Sequence, residues 1–259
     1  MALSCSLGPA AGPTDPLRGA RALVTGGATR LGRATALGLA SKGCHVVIHY
    51  HRSIDEAQEL SLLLKAQSVD AWLVQADLSV PDQAETMFRR AVEMAGPIDL
   101  LVNNASTFPE SRLSSVTWEE MEENLRVNAV SPFILSRAFA AQGREGSIVN
   151  FLDSRVVDYD AAHVAYHLSK RMLFTFTRMM ALEFAPLVRV NAVAPGLVLP
   201  PHGEDVSYLD ARVKSIPLRK HGDADDVVEA VLFLLASDFI TGQVLFVDGG
   251  RHMRNCVYG

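Results

Sequence analysis

Short apolar runs rich in Val, Ile and Leu recur along the chain at residues 20–25, 45–50, 71–75, 98–103, 147–152, 188–193 and 243–247. Each has the length and composition of a buried strand. Between most of them lie segments whose apolar residues repeat at helical spacing: 33–39, 54–67, 82–94, 127–141, 167–184 and 223–235. Strands that are apolar throughout, alternating with helices, predict a parallel sheet covered on both faces. Ligands of such sheets bind at the carboxyl ends of the strands, where the winding direction switches, so functional residues should follow strands. No linker-like stretch interrupts residues 18–251 and no period repeats, which gives one domain, 18–259, behind a loose Gly-, Pro-, Ala- and Ser-rich tail at 1–17. The one long irregular piece, 197–218, holds Pro200, Pro201, Gly203 and Pro217. It is a candidate substrate loop.

Composition narrows the function classes. The chain has 259 residues, 49% hydrophobic and 20% charged, with a formal charge of −5. A chain of this length can bury about three-quarters of its unfolded surface, so a large core needs no staples. Cys5, Cys44 and Cys256 are far apart and form no CxxC pair or Cys/His ligand spacing; neither a disulfide framework nor a metal site is indicated. The acidic balance, without a basic run, leaves no electrostatic footprint for nucleic acid. Residues 1–17 carry no basic n-region and no apolar run approaching the length of a signal or membrane segment. The cytoplasm is the expected compartment.

Candidate chemistry begins after the first strand, where Thr25-Gly26-Gly27-Ala28-Thr29-Arg30-Leu31-Gly32 leads into a helix expected near Arg33. Glycine lets backbone turn tightly and approach a pyrophosphate, and the helix N-terminus offers unpaired N–H groups to an anion. About 20 residues further on, an NAD-specific fold places an acid on the ribose 2′-hydroxyl. Here the second strand is followed instead by His51-Arg52-Ser53. A guanidinium, an imidazole and a hydroxyl suit a 2′-phosphate, which predicts NADP(H); solvated polar residues after a strand are the plainer alternative.

Tyr166 and Lys170 stand four apart on a predicted helix and so share a face. A phenol near pKa 10 is a poor acid at neutral pH, but a nearby ammonium stabilises its phenolate and helps it donate a proton. Such a pair alone is common by chance. In this chain it follows the glycine loop, Asn103-Asn104-Ala105 after the fourth strand and Asn128 within a helix, and precedes Pro195-Gly196 after the sixth strand.

From about Arg18 to His252 this order of motifs resembles the short-chain dehydrogenase/reductase family. The resemblance implies a single-domain α/β Rossmann-type doubly wound fold with a seven-stranded parallel sheet, and hydride transfer. It also implies Tyr166 as proton donor, Lys170 on the nicotinamide ribose, Asn128 at a proton-relay water, and Asp77 with Leu78 at the adenine end. Gly26, Arg30, Leu31, Gly32, Asn104, Ala105, Pro195 and Gly196 would complete the cofactor site, and a homotetramer is implied. Two departures stand out: Arg30 replaces one glycine of the usual TGxxxGxG, and Asp153 replaces the usual catalytic Ser, with Ser154 one position later. With His49-Tyr50-His51-Arg52-Ser53 and Asn103-Asn104-Ala105-Ser106-Thr107-Phe108, they resemble the pteridine reductase branch. That branch implies Arg30 and Ser106 at pterin and cofactor phosphates, His51, Arg52 and Ser53 at the 2′-phosphate, Phe108 stacked on a pterin, and Asp153 working with Tyr166 to protonate a ring nitrogen. Val198 and Leu199 stand where the family commonly has Ser or Thr. The competing expectations are a carbonyl reductase using Ser154 in shifted register, and a non-catalytic NADP-binding protein.

Overall fold

The computed structural model describes residues 15–253 apart from Asp160 and His202. Cys5, Cys256 and most of the expected tail lie outside the described residues. Seven parallel strands form one sheet: β1 (Arg21–Val24), β2 (His45–Tyr50), β3 (Ala71–Gln75), β4 (Leu100–Asn103), β5 (Gly146–Phe151), β6 (Val188–Pro195) and β7 (Val244–Val247). Their order is β3-β2-β1-β4-β5-β6-β7. The winding reverses between β1 and β4, which opens a crevice at their carboxyl ends.

Helices cover both faces. α1 (Arg30–Ser41), α2 (Ile54–Ala66) and α8 (Ala224–Ala236) lie on one side, and α3 (Pro81–Ala95), α5 (Ser131–Ala140) and α6 (Val164–Glu183) on the other. Alternate strand residues feed the two layers: Ala22 and Val24 join the first core, Leu23 the second, and Val46, Val47 and Ile48 repeat the division. This two-sided burial is why the strands read as unbroken apolar runs.

All seven expected strands are present, and several boundaries elsewhere move. α1 starts at Arg30 rather than Arg33, and α6 starts at Val164, so Tyr166 lies in its first turn. A helix absent from the sequence expectation, α4 (Trp118–Leu125), is held by a capping box between Thr117 and Glu120. It runs through a π-helical turn, Arg126–Val130, into α5, so the single helix expected at 127–141 is divided. The irregular stretch 197–218 contains a short helix, α7 (Val206–Asp210), and a 3-10 turn at Val213–Ser215. Leu17, expected in the tail, is 2% exposed and packs into the first core, so the domain begins before Arg18. Among the described residues no helix is long and apolar enough to cross a membrane.

Candidate active site

Two adjoining hollows, of about 430 and 420 Å³, follow the carboxyl ends of the strands and share Gly26, Thr29, Ala105 and Ser106. The glycine loop forms their common wall. Gly26 has φ +60°, and a Cβ there would come within 3.0 Å of the Ala105 backbone; a Cβ on Gly32 would collide with the Gly26 carbonyl oxygen. Thr25 and Asn104 tie the loop to the end of β4: the Asn104 and Ala105 N–H groups donate to Thr25 Oγ1 at 3.0 Å, and Asn104 Nδ2 donates to the Thr25 and Gly26 carbonyls at 2.9 and 3.1 Å. The N-terminus of α1 has no side-chain cap. Its orphan N–H groups are therefore available to an anion.

The first hollow is lined by His51, Arg52, Ser53, Asp77 and Leu78. Arg52 is exposed, and its guanidinium makes no ion pair among the described residues. His51 Nε2 lies 3.7 Å from Asp77 Oδ2. Burial tends to raise the Asp77 carboxyl, but hydrogen bonds from Ser79 and the charges of His51 and Arg52 outweigh it and hold the group below its usual value.

Arg30, Leu31, Gly32, Asn104, Phe108, Asp153, Tyr166, Lys170, Pro195 and Gly196 line the second hollow. Arg30 adopts φ +52°, a left-handed conformation that glycine takes freely and that costs an arginine roughly 1–2 kcal/mol. Its guanidinium donates to the Pro200 carbonyl at 2.7 Å. The loop expected to bound the substrate is thereby latched to the glycine loop.

Tyr166 Oη donates to Asp153 Oδ2 at 3.0 Å, while Asp153 Oδ1 accepts from the Arg155 N–H at 2.7 Å. The carboxyl thus caps the 3-10 turn Ser154–Val157 and meets the phenol with its other oxygen. Lys170, 3% exposed, donates to the Phe151 carbonyl at 2.7 Å, and its Nζ lies 5.7 Å from the Tyr166 ring centre. Burial pulls its ammonium down to about 8, against the attraction of Asp153. Ser154 is 2% exposed and does not line the hollow. Phe108, 48% exposed, stacks on His163 at 4.0 Å and meets the edge of Tyr166 at 4.5 Å.

Asn128 sits in the π-turn, wholly buried and outside both hollows. Its Oδ1 accepts from Ser106 Oγ and the Thr107 N–H at 3.0 and 2.9 Å; its Nδ2 donates to the Thr107 carbonyl and to Ser169 Oγ, both at 3.0 Å. Ser169 in turn donates to the Tyr166 carbonyl at 2.6 Å. Asn128 therefore joins the loop after β4 to the tyrosine helix. Ser169 and His163 were not singled out from the sequence as site residues, because a Ser between Tyr166 and Lys170 and a His before them carry no signal of their own.

His49 also went unassigned, and it braces the cofactor wall. It is 2% exposed, its Nδ1 accepts from the Gly26 N–H at 3.0 Å, and its Nε2 lies 3.2 Å from the Ala76 carbonyl, which fixes the neutral tautomer with the proton on Nε2. Burial pushes its imidazole down from 6.5 to about 4, the Ala76 hydrogen bond opposing. Its contribution to stability is whole above pH 6.5 and drains away as the pH falls towards 4, because only the unfolded chain takes up the proton in that window. Urea unfolding should register a loss of about 3 kcal/mol from this residue across that range. His49→Asn, which keeps an acceptor for Gly26, should remove most of that slope.

Similarity to known proteins extends over nearly the whole chain. The family model described as Enoyl-(Acyl carrier protein) reductase matches residues 26–252. The chain is 34% identical to the Granaticin polyketide synthase putative ketoacyl reductase 2 of Streptomyces violaceoruber, covering 93% of this chain and 99% of that one. It is also 34% identical to Pteridine reductase 1 of Leishmania tarentolae, over 92% and 96% of the two chains. The crystal structure of FolM alternative dihydrofolate reductase 1 from Brucella canis, complexed with NADP, superimposes with a TM-score of 0.85 at 34% identity, covering 92% of this chain and 96% of that one. A sheet wound about a glycine loop, a Tyr166–Lys170 helix beside it and a family match across nearly all of the described residues establish that the chain belongs to the short-chain dehydrogenase/reductase family.

Proposed function

We propose that the protein is an NADPH-dependent pterin reductase, which converts dihydropterins to tetrahydropterins. The observation that carries this reading is the 3.0 Å hydrogen bond from Tyr166 Oη to Asp153 Oδ2 at the wall of the second hollow. A carboxylate repels a substrate carbonyl oxygen but pairs with ring N–H donors and, through the phenol, can back the protonation of a C=N nitrogen.

The chain's own residues fit NADP(H). The close approach of Gly26 to Ala105 and the uncapped N-terminus of α1 suit a pyrophosphate. Arg52, with His51 and Ser53 beside it, suits a 2′-phosphate. Bound NADPH supplies the hydride. Lys170, pinned by the Phe151 carbonyl, holds a positive charge beside Tyr166, which favours its phenolate; Asp153 accepts the phenol's hydrogen bond and keeps the group aimed into the hollow. Asn128, through Ser169, fixes the turn of α6 that carries the phenol. Phe108, set by His163, offers a ring against which a flat heteroaromatic stacks, worth about 0.5–1.5 kcal/mol beyond burial. The homotetramer and the cytoplasmic location implied by resemblance belong to the same proposal.

Similarity to ketoacyl reductases favours a second reading, reduction of a ketone. The burial of Ser154, the hydroxyl that would hold the carbonyl, speaks against it. NADPH consumption by the purified protein with 7,8-dihydrobiopterin, dihydromonapterin, dihydrofolate and a panel of ketones, with NADH alongside, tests the two. Turnover of pterins but not ketones, with NADPH preferred, is expected; turnover of ketones alone would replace the pterin reading with the ketone one. No multiple-turnover oxidation at all would instead point to a non-catalytic binder.

A further inference from the structure

Beyond β7 the chain turns through Asp248, Gly249 and Gly250 into a 3-10 turn, Arg251–Met253. Asp248 fixes this turn: its Oδ1 accepts from the Gly250 N–H at 2.9 Å, its Oδ2 accepts from the His252 N–H at 2.6 Å, and the His252 Nδ1 lies against both oxygens. So built, the turn packs on Ser154–Val157, the turn that Asp153 caps. Arg251 is thereby brought, partly buried, within electrostatic reach of Asp153, which lines the second hollow. The titratable groups near it are Arg155, Asp153, Asp248 and, from α7, the phenol of Tyr208.

The guanidinium of Arg251 makes no hydrogen bond or ion pair among the described residues. Both nearby carboxylates are committed elsewhere, Asp248 to its own turn and Asp153 to the Arg155 N–H and the Tyr166 hydroxyl. Burial first and then the like charge of Arg155 disfavour its charged form. A partly desolvated guanidinium beside a second cation, close to a carboxylate that lines the hollow, gains most from an incoming carboxylate, which it can grip with two parallel charge-assisted bonds.

We propose that Arg251 is a specificity-determining residue that anchors a carboxylate on the substrate's side chain, between the 154–157 turn and α7. The enzyme accordingly favours a substrate with an acidic tail over one with a neutral tail. This deepens the pterin reading and rests on it for the nature of the ring, not for the anion.

Two measurements on the full-length protein test it separately from that reading. In steady-state NADPH oxidation, Arg251→Gln should lower the ratio of kcat/KM for 7,8-dihydrofolate over that for 7,8-dihydrobiopterin about tenfold, through KM rather than kcat, and Arg251→Lys should recover part of it. An unchanged ratio overturns the proposal. The second needs no turnover: calorimetry with N-(4-aminobenzoyl)glutamate and with uncharged 4-aminobenzamide. The acid should bind the NADPH-loaded wild type more tightly, and Arg251→Gln should weaken it about tenfold while the amide changes far less. Equal binding of the two probes overturns the anchor. Binding of the acid that depends on Arg251, in a protein that reduces neither pterin, upholds the anchor and overturns the pterin reading.

Discussion

Tyr166→Phe should lower kcat by roughly two to four orders of magnitude, the range that a positioned general acid contributes. The variant removes the one hydroxyl that meets Asp153 Oδ2 and leaves the ring, which packs edge-on against Phe108 at 4.5 Å and under Lys170 at 5.7 Å. Melting temperature and NADPH affinity should accordingly stay close to wild type, so that stopped-flow turnover isolates the proton. The wild-type pH profile checks the same arrangement from another side. Lys170 is pulled down to about 8 by burial, so it carries its charge at neutral pH and sheds it as the pH passes 8. Support for the phenolate is lost with it, and kcat should decline on the alkaline side of about pH 8. A phenylalanine variant with wild-type kcat would remove Tyr166 from the mechanism.

Asp153→Ala should cost about 100-fold in kcat/KM with dihydropterins and little with ketones. The carboxyl lies at the wall of the hollow, with one oxygen on the phenol and the other on the Arg155 N–H. Alanine deletes the partner for a pterin's ring N–H groups and unfixes the phenol together. The lost cap on a single 3-10 turn costs about 1 kcal/mol of stability, a separate effect that unfolding curves will resolve. Asp153→Ser sharpens the contrast, because a hydroxyl at this position can hold a carbonyl oxygen: ketone reduction should rise as pterin reduction falls. An alanine variant that keeps full turnover with every pterin would sink the proposed chemistry.

The sheet was legible because burial on both faces leaves no polar alternation to confuse: residues 45–50 and 71–75 were expected as strands and form β2 and β3 with those bounds. α4 was missed because half of its eight residues, Trp118–Leu125, are Glu and its stripe of Trp118, Met121 and Leu125 is short; Asn124 is its one fully buried residue. The capping box at Thr117 and Glu120 was the signal that could have found it. At the site, the order of motifs pointed to Tyr166 and Lys170 and the departures from it to Arg30 and Asp153; all four line one hollow. What it could not give were relations across the fold. The stacking of His163 on Phe108, the latch from Arg30 to the Pro200 carbonyl and the brace from His49 to Gly26 join segments whose distance in sequence hides their contact. Nor does a residue's identity announce a positive φ, as Arg30 shows by occupying one.

The π-turn at Arg126–Val130 makes the placement of Asn128 a matter of counting as much as of chemistry. A π-turn is an α-helix carrying one surplus residue, and each residue of an α-helix advances the side chains by about 100°. Deleting Val127 would let the backbone from Trp118 to Ala140 close into a regular helix, a local gain in hydrogen bonding. The flanking halves would keep their facing, since the π-turn already absorbs the surplus residue, but Asn128 would be drawn out of the bulge and re-aimed. Asn128 would then lose its register with either Thr107 or Ser169, since the two flank it from different parts of the fold. An irregular turn thus sets the aim of one side chain while leaving its helix in phase, and a variant with a better helix would have a worse site.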